Sequence, residues 1–143
     1  MPKFTPCLSF QGQCSQAIEL YKEAFGAKVR DLVRYSEADS KDFKCKDEEK
    51  DFIYYSEMMI GRNRFSLGDD SLGVYDGKLQ GKSNQISFLM EFESEDAFNT
   101  AYKTLSDGAT ILTPMCSTTY CTAYVVLEDK FGVSWQLMSG YPR

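Results

Sequence analysis

Ser15-Gln16-Ala17-Ile18-Glu19-Leu20-Tyr21-Lys22-Glu23-Ala24-Phe25-Gly26-Ala27 decides how this chain folds, because its pattern returns at Ser94-Glu95-Asp96-Ala97-Phe98 through Leu105 and Gly108-Ala109. In the first copy Ala17, Ile18, Tyr21, Ala24 and Phe25 recur at helical spacing, while Glu19, Lys22 and Glu23 lie off that stripe. This predicts an amphipathic helix over Ser15–Phe25, with Gly26 where a C-terminal cap belongs. In the second copy Ser94 is placed to cap a helix and Glu95 and Asp96 suit its positive end. Ala97, Phe98, Ala101 and Leu105 make the apolar stripe, and Gly108 ends it.

Strand patterns surround each helix in the same order. Phe4–Phe10 precedes the first helix, and Lys28–Tyr35, Phe52–Ile60 and Arg64–Leu67 follow it, the last two around the hairpin signal Gly61-Arg62-Asn63. Gln85–Phe92 precedes the second helix, followed by Ala109–Thr113, Cys121–Leu127 and Val133–Met138. The order is β-α-β-β-β, twice. The expectation is an α+β fold of two modules related by a pseudo-twofold, forming a curved mixed sheet around a cleft. Module one spans 4–70 and carries a charged insert, 37–51, which reads as a solvated loop or partly ordered arm. A linker over 71–84 leads to module two, 85–140, all within a single domain of 143 residues. Asp69-Asp70 reads as a turn after a strand, with cation binding as the alternative.

Composition removes several functions. The chain has 21 acidic and 16 basic residues, a net charge of −5, and no stripe of Lys and Arg to hold a phosphate backbone, so no nucleic-acid partner is expected. No apolar run approaches a membrane span, so no membrane partner is expected. The N-terminal Met-Pro-Lys-Phe-Thr-Pro lacks a secretory apolar core, so a cytoplasmic address is expected. Five cysteines, an odd number, read as reduced thiols. Histidine is absent altogether. Its absence excludes a Ser-His-Asp triad, an imidazole proton shuttle and imidazole metal ligands.

Alternation along two strands marks a candidate binding face. In the fifth strand Ile86, Phe88, Met90 and Phe92 share the apolar face, and Gln85, Ser87, Leu89 and Glu91 the other. In the last strand Val133, Trp135 and Leu137 lie opposite Ser134, Gln136 and Met138. Strands that bury one face and keep a mixed polar face fit a sheet lining a cleft. Candidate substrate-binding residues are Tyr55, Gln85, Ser87, Tyr120, Tyr124 and Gln136, through hydrogen bonds and ring contacts. Cys121 is a further candidate as a thiolate, and Trp135 reads as core.

Four segments carry a family resemblance: Pro6-Cys7-Leu8-Ser9-Phe10-x-Gly12 with Ala17-Ile18-x-x-Tyr21-x-x-x-Phe25-Gly26; Ser56-Glu57-Met58-Met59-Ile60-Gly61; and Leu127-x-Asp129-Lys130-Phe131-Gly132-Val133-x-Trp135. With the module order, they make the chain resemble the vicinal oxygen chelate superfamily of glyoxalase I, bleomycin-resistance proteins and extradiol dioxygenases, and within it the PhnB-like branch. Members of that branch have often been labelled ubiquinone-pathway methyltransferases, but this chain has no Gly-rich loop after its first strand for a methyl donor.

The resemblance implies four metal-ligand positions, which fall at Thr5 or Pro6, Glu57, Gln85 and Gln136, and makes Glu57 the leading candidate for catalysis, as a ligand or as a base with its pKa raised by its surroundings. Where the branch commonly carries a histidine two residues before Glu57, this chain has Tyr55. One carboxylate with neutral amides is a poor donor set for a divalent ion. The expected function is therefore a PhnB-like protein that binds a small molecule in a cleft without a tightly held metal or other cofactor, as a homodimer. One alternative is a divalent-metal-dependent isomerase, lyase or dioxygenase using Glu57, Gln85 and Gln136. Another is an interaction module built on the insert 37–51. Whether the protein is an enzyme is left open.

Overall fold

The computed structural model describes residues 2–39, 41, 44–71 and 86–140. Its elements run β1 (Cys7–Phe10), α1 (Cys14–Phe25), β2 (Lys28–Arg34), β3 (Ile53–Ile60) and β4 (Asn63–Asp69). They continue with β5 (Phe88–Phe92), α2 (Glu95–Ser106), β6 (Thr110–Cys116), β7 (Ala123–Glu128) and β8 (Ser134–Ser139). The repeated β-α-β-β-β order is present. Each copy forms its own four-stranded sheet, ordered β1-β4-β3-β2 and β5-β8-β7-β6. The first strand of each pairs in parallel with the fourth, and the remaining pairs are antiparallel. Three strands joined in succession after a helix form a meander, and its last strand comes back beside the first. The chain divides into two compact units that follow this split, except that Glu23–Phe25 at the end of α1 group with the second.

In the first unit the β3–β4 turn is Gly61-Arg62, with Gly61 at φ 58°, a backbone that glycine adopts without steric cost. Along β3, Ser56 and Met58 are buried together with Phe65 and Leu67 of β4, and Tyr55 and Glu57 alternate to the opposite face. The apolar stripe of α1 is buried at Ala17, Ile18, Tyr21 and Ala24. Gly26 ends that helix in the left-handed conformation, its N–H donating to the Lys22 carbonyl at 3.0 Å.

Strand β4 runs on to Asp69, which is buried, so Asp69 is neither in a turn nor open to a cation. Its Oδ1 accepts the N–H groups of Gly12 (2.8 Å) and Cys14 (2.9 Å), and its Oδ2 accepts the N–H of Ile53 (2.9 Å). The insert is more ordered than a solvated loop. Short 3-10 turns form at Tyr35–Glu37 and Asp47–Glu49, and Glu49 is fully buried, accepting the Ser71 hydroxyl proton at 3.0 Å. Tyr35 donates its phenol proton to the Asp69 carbonyl, and burial, with Glu49, Asp70 and Asp69 nearby, pushes that phenol up to about 12. Ser40, Asp42 and Phe43 lie outside the described residues, as does all of the expected linker except Ser71.

In the second unit Phe92 meets Phe98 edge-on at 5.9 Å, which puts Phe88, Met90 and Phe92 on the side of α2. The Ser94 hydroxyl accepts the Ala97 N–H at 3.1 Å and caps α2 as its sequence predicts. Phe98, Ala101 and Leu105 are buried, but Ala97 is exposed, because it lies about 100° round the helix from Phe98. Ile86 precedes β5 and is 68% exposed, so the buried face begins at Phe88. Strand β6 extends to Cys116 through Pro114. The outer place of β6 in its sheet allows that proline, since an edge strand can leave one side of its backbone unpaired. Strand β7 starts later than Cys121, whose N–H is taken by the Thr118 side chain at 3.0 Å. In the β7–β8 turn Asp129 Oδ1 accepts the N–H groups of Phe131 and Val133, and Oδ2 accepts the indole N–H of Trp135 at 2.9 Å.

All five cysteines are free: Cys7, Cys45 and Cys116 are exposed, and Cys14 and Cys121 are buried. Burial, reinforced by Asp69, pushes the Cys14 thiol up to about 12. A disulfide-exchange reagent at neutral pH is therefore expected to titrate three thiols rapidly and the last two only after denaturant is added. Rapid reaction of four or five in the native protein would contradict this burial. Among the described residues no helix is long and apolar enough to cross a membrane.

Candidate functional site

The predicted residues of module two come together on the face of its sheet turned away from α2. Leu89 of β5 lies opposite Gln136 of β8, and Gln136 lies opposite Val126 of β7, so these three side chains share that face. The Tyr124 hydroxyl donates to Gln136 Oε1 at 2.8 Å, and Gln136 Nε2 donates to Ser87 Oγ at 2.7 Å. The Tyr120 ring stands edge-on to Tyr124 at 6.2 Å. Burial, with Tyr120 beside it, raises the Tyr124 phenol above its ordinary value, so it stays protonated and donating at neutral pH. The Gln136 side-chain amide is thereby held between two hydroxyls, its oxygen toward Tyr124 and its nitrogen toward Ser87. One Nε2 proton, the Ser87 hydroxyl proton and the remaining lone pairs of Oε1 are then left for a ligand. Leu89 and Tyr120, both about half exposed, supply apolar surface beside this polar centre.

Tyr55 and Glu57 form a second cluster, within the first unit. The Tyr55 hydroxyl donates to Glu57 Oε2 at 3.0 Å, and Arg30 Nη1 and Arg64 Nη1 lie 3.4 and 3.6 Å from Oε1. Arg64 Nη2 donates to Thr5 Oγ1 at 3.0 Å. The Tyr55 hydrogen bond and the two guanidiniums outweigh partial desolvation and hold the Glu57 carboxyl below the usual carboxylate range. A base with a raised pKa is the reverse of this environment. Cys121 is buried against Thr118 Oγ1 at 3.2 Å, and Trp135 is core as expected.

The strand registers also place Glu57 within the repeat. Cys7 pairs with Ser66 as Leu89 pairs with Gln136, and Glu57 faces Ser66 as Val126 faces Gln136. The first-module counterpart of Gln136 is therefore Ser66, and Glu57 lies one strand over. A metal coordinated by Glu57 and Gln136 does not fit these donors. The carboxylate is flanked by two cations, the Gln136 amide is engaged by Tyr124 and Ser87, and Thr5 Oγ1 accepts from Arg64. Gln85 lies outside the described residues. Among the described residues no group of three or more Asp, Glu or Cys is placed to hold a metal ion.

Sequence reading overlooked Arg30 and Arg64. The signal for Arg64 was the hairpin: once Gly61-Arg62 is the turn, Met59 pairs with Arg64, which makes Arg64 a diagonal neighbour of Glu57. Arg30 carried no such signal, because the register of β2 shifts between Val29 and Asp31.

The comparisons with known proteins agree with this architecture. The family model described as 3-demethylubiquinone-9 3-methyltransferase matches residues 2–138. Protein YjdN of Escherichia coli K12 is 21% identical over 135 residues, which cover 93% of this chain and 92% of that protein. Protein PA1353 of Pseudomonas aeruginosa superposes with a TM-score of 0.81 at 18% identity, covering 97% of this chain and 98% of that one. A Bacillus cereus PhnB protein, described as a putative 3-demethylubiquinone-9 3-methyltransferase, gives 0.78 at 23% identity, with 96% and 99% covered. A glyoxylase/bleomycin resistance protein/dioxygenase domain from Frankia gives 0.65 at 14% identity, with 98% of each chain covered. With its repeated modules and a family match along nearly its whole length, the chain belongs to the family described as 3-demethylubiquinone-9 3-methyltransferase, and it shares its fold with the glyoxylase/bleomycin resistance protein/dioxygenase domain.

Proposed function

We propose that this protein binds a small organic molecule through directed hydrogen bonds and aromatic contact, without a tightly held metal. The observation that carries the reading is the chain Tyr124–Gln136–Ser87 on the face of the second sheet away from α2. It holds an amide between two hydroxyls, and the unspent donor and acceptor lie side by side next to Tyr120 and Leu89. Such a set suits a neutral group that both accepts and donates, such as an amide or lactam, attached to an apolar body.

Untagged protein should be titrated with Mg, Mn, Ni, Zn and Fe(II), and separately with a library of small amides and lactams. The expected result is no metal-induced rise in Tm beyond about 1 °C and organic binders that shift the Gln136 side-chain NMR signals. Gln136→Ala should weaken those binders by about tenfold, the cost of one or two oriented hydrogen bonds. Copurification of near one equivalent of metal, lost in Glu57→Ala, would refute the reading in favour of a metal-dependent enzyme.

A further inference from the structure

We infer that Arg30 and Arg64, on the Glu57 face of the first sheet, form a recognition site for a small monocarboxylate, which Glu57 holds in place as an internal stand-in for the ligand. This site belongs to the first unit and does not rest on the amide-binding reading of the second.

Three observations carry the inference. Both guanidiniums converge on one oxygen of a nearly buried carboxylate, at 3.4 and 3.6 Å, too long for the paired short bonds of a closed Arg–carboxylate fork. Their donors are largely unspent: Arg30 makes one further bond, from Nη1 to Met59 Sδ at 3.6 Å, and Arg64 one, from Nη2 to Thr5. Among the described residues, Nε and Nη2 of Arg30 have no protein acceptor, and its side chain is 58% exposed. That edge presents two parallel N–H groups, the shape a carboxylate fits in bidentate fashion.

Charge selects the ligand class. Lys28 lies opposite Met59 and Asp31 opposite Glu57, so the face gathers Lys28, Arg30 and Arg64 against Asp31 and Glu57. One positive charge is left over, in a chain whose total is −5. A monocarboxylate neutralises it, whereas a phosphate dianion adds a charge that Asp31 and Glu57 repel. Half-exposed Tyr55, with Val33 opposite it, gives an apolar flank for the body of the acid.

The probes are benzoate, acetate and inorganic phosphate, titrated at constant ionic strength into protein carrying 15N-labelled arginine, with chloride as the control. The expected result is a saturable shift of the Arg30 and Arg64 Nε–H signals with benzoate, tighter than acetate and much tighter than phosphate. Arg30→Gln should weaken benzoate by about tenfold or more, the loss of a charge-assisted pair of bonds. Glu57→Gln should tighten it at least about threefold, because an internal competitor is removed while Tyr55 keeps an oxygen to donate to. Backbone amide spectra of both variants establish that the fold is retained. Shifts that match chloride, tighter binding of phosphate, or weaker benzoate binding in a folded Glu57→Gln would overturn the site and leave the network purely structural.

Discussion

Asp69→Ala is expected to cost the protein about 3–5 kcal/mol. The carboxylate is buried and takes three backbone N–H groups, from Gly12 just ahead of α1, from Cys14 at its first position and from Ile53 at the start of β3. Removing it strands all three donors, and each stranded buried N–H costs about 1–3 kcal/mol before water or relaxation recovers part of it. Asp69→Asn should fall in between. It keeps the oxygen facing Gly12 and Cys14 but sets an amide N–H2 against the N–H of Ile53. Urea unfolding gives the total, and hydrogen exchange at those three amides gives its source. A loss below about 1 kcal/mol, or unchanged protection at Gly12, Cys14 and Ile53, would show that other acceptors take over.

Asp129→Ala is expected to cost about 2–4 kcal/mol by the same physics in the second unit. Its two oxygens tie the turn after β7, at Phe131 and Val133, to the indole N–H of buried Trp135. Because Trp135 is the only tryptophan, its fluorescence reports directly on this contact. Trp135→Phe removes the indole donor while keeping an aromatic ring against Phe88, whose centroid lies 5.4 Å away. A double-mutant cycle between the two should give a coupling of about 1.5 kcal/mol or more, as expected for a buried hydrogen bond to a charged acceptor. Additive losses would mean that Asp129 matters only for the turn backbone.

The proposed binding faces differ in how far the sequence revealed them. Period-2 alternation was enough to put Ser87, Leu89 and Gln136 on one side of the second sheet, since one face of each strand is unmistakably apolar. That Tyr124 would donate to Gln136 needed the β7–β8 register, which the turn at 129–132 fixes and the pattern does not state. In the first unit the sequence singled out Glu57 but not its charge environment. The two arginines that keep it ionised come from β2 and β4, on either side of β3.

The two helices show the division most directly. Ser94 lies next to the helix it caps, so the start of α2 and its cap could be read from local residues alone. Gln13, at the same place before α1, makes no side-chain cap bond, and the acceptor that replaces it is Asp69, 55 residues beyond Cys14. By the strand registers Asp69 stands where the second module has Ser139, so the repeat keeps the position and changes the capping device. The sequence by itself determined the element order, the repeat, the buried stripes and the local caps, because those depend on residues within a turn or two of one another. Only the tertiary structure decided what Asp69, Glu57 and Gln136 do. Each takes its meaning from partners on other strands, and hydrogen-bond partners distant along the chain leave no periodic signal in it.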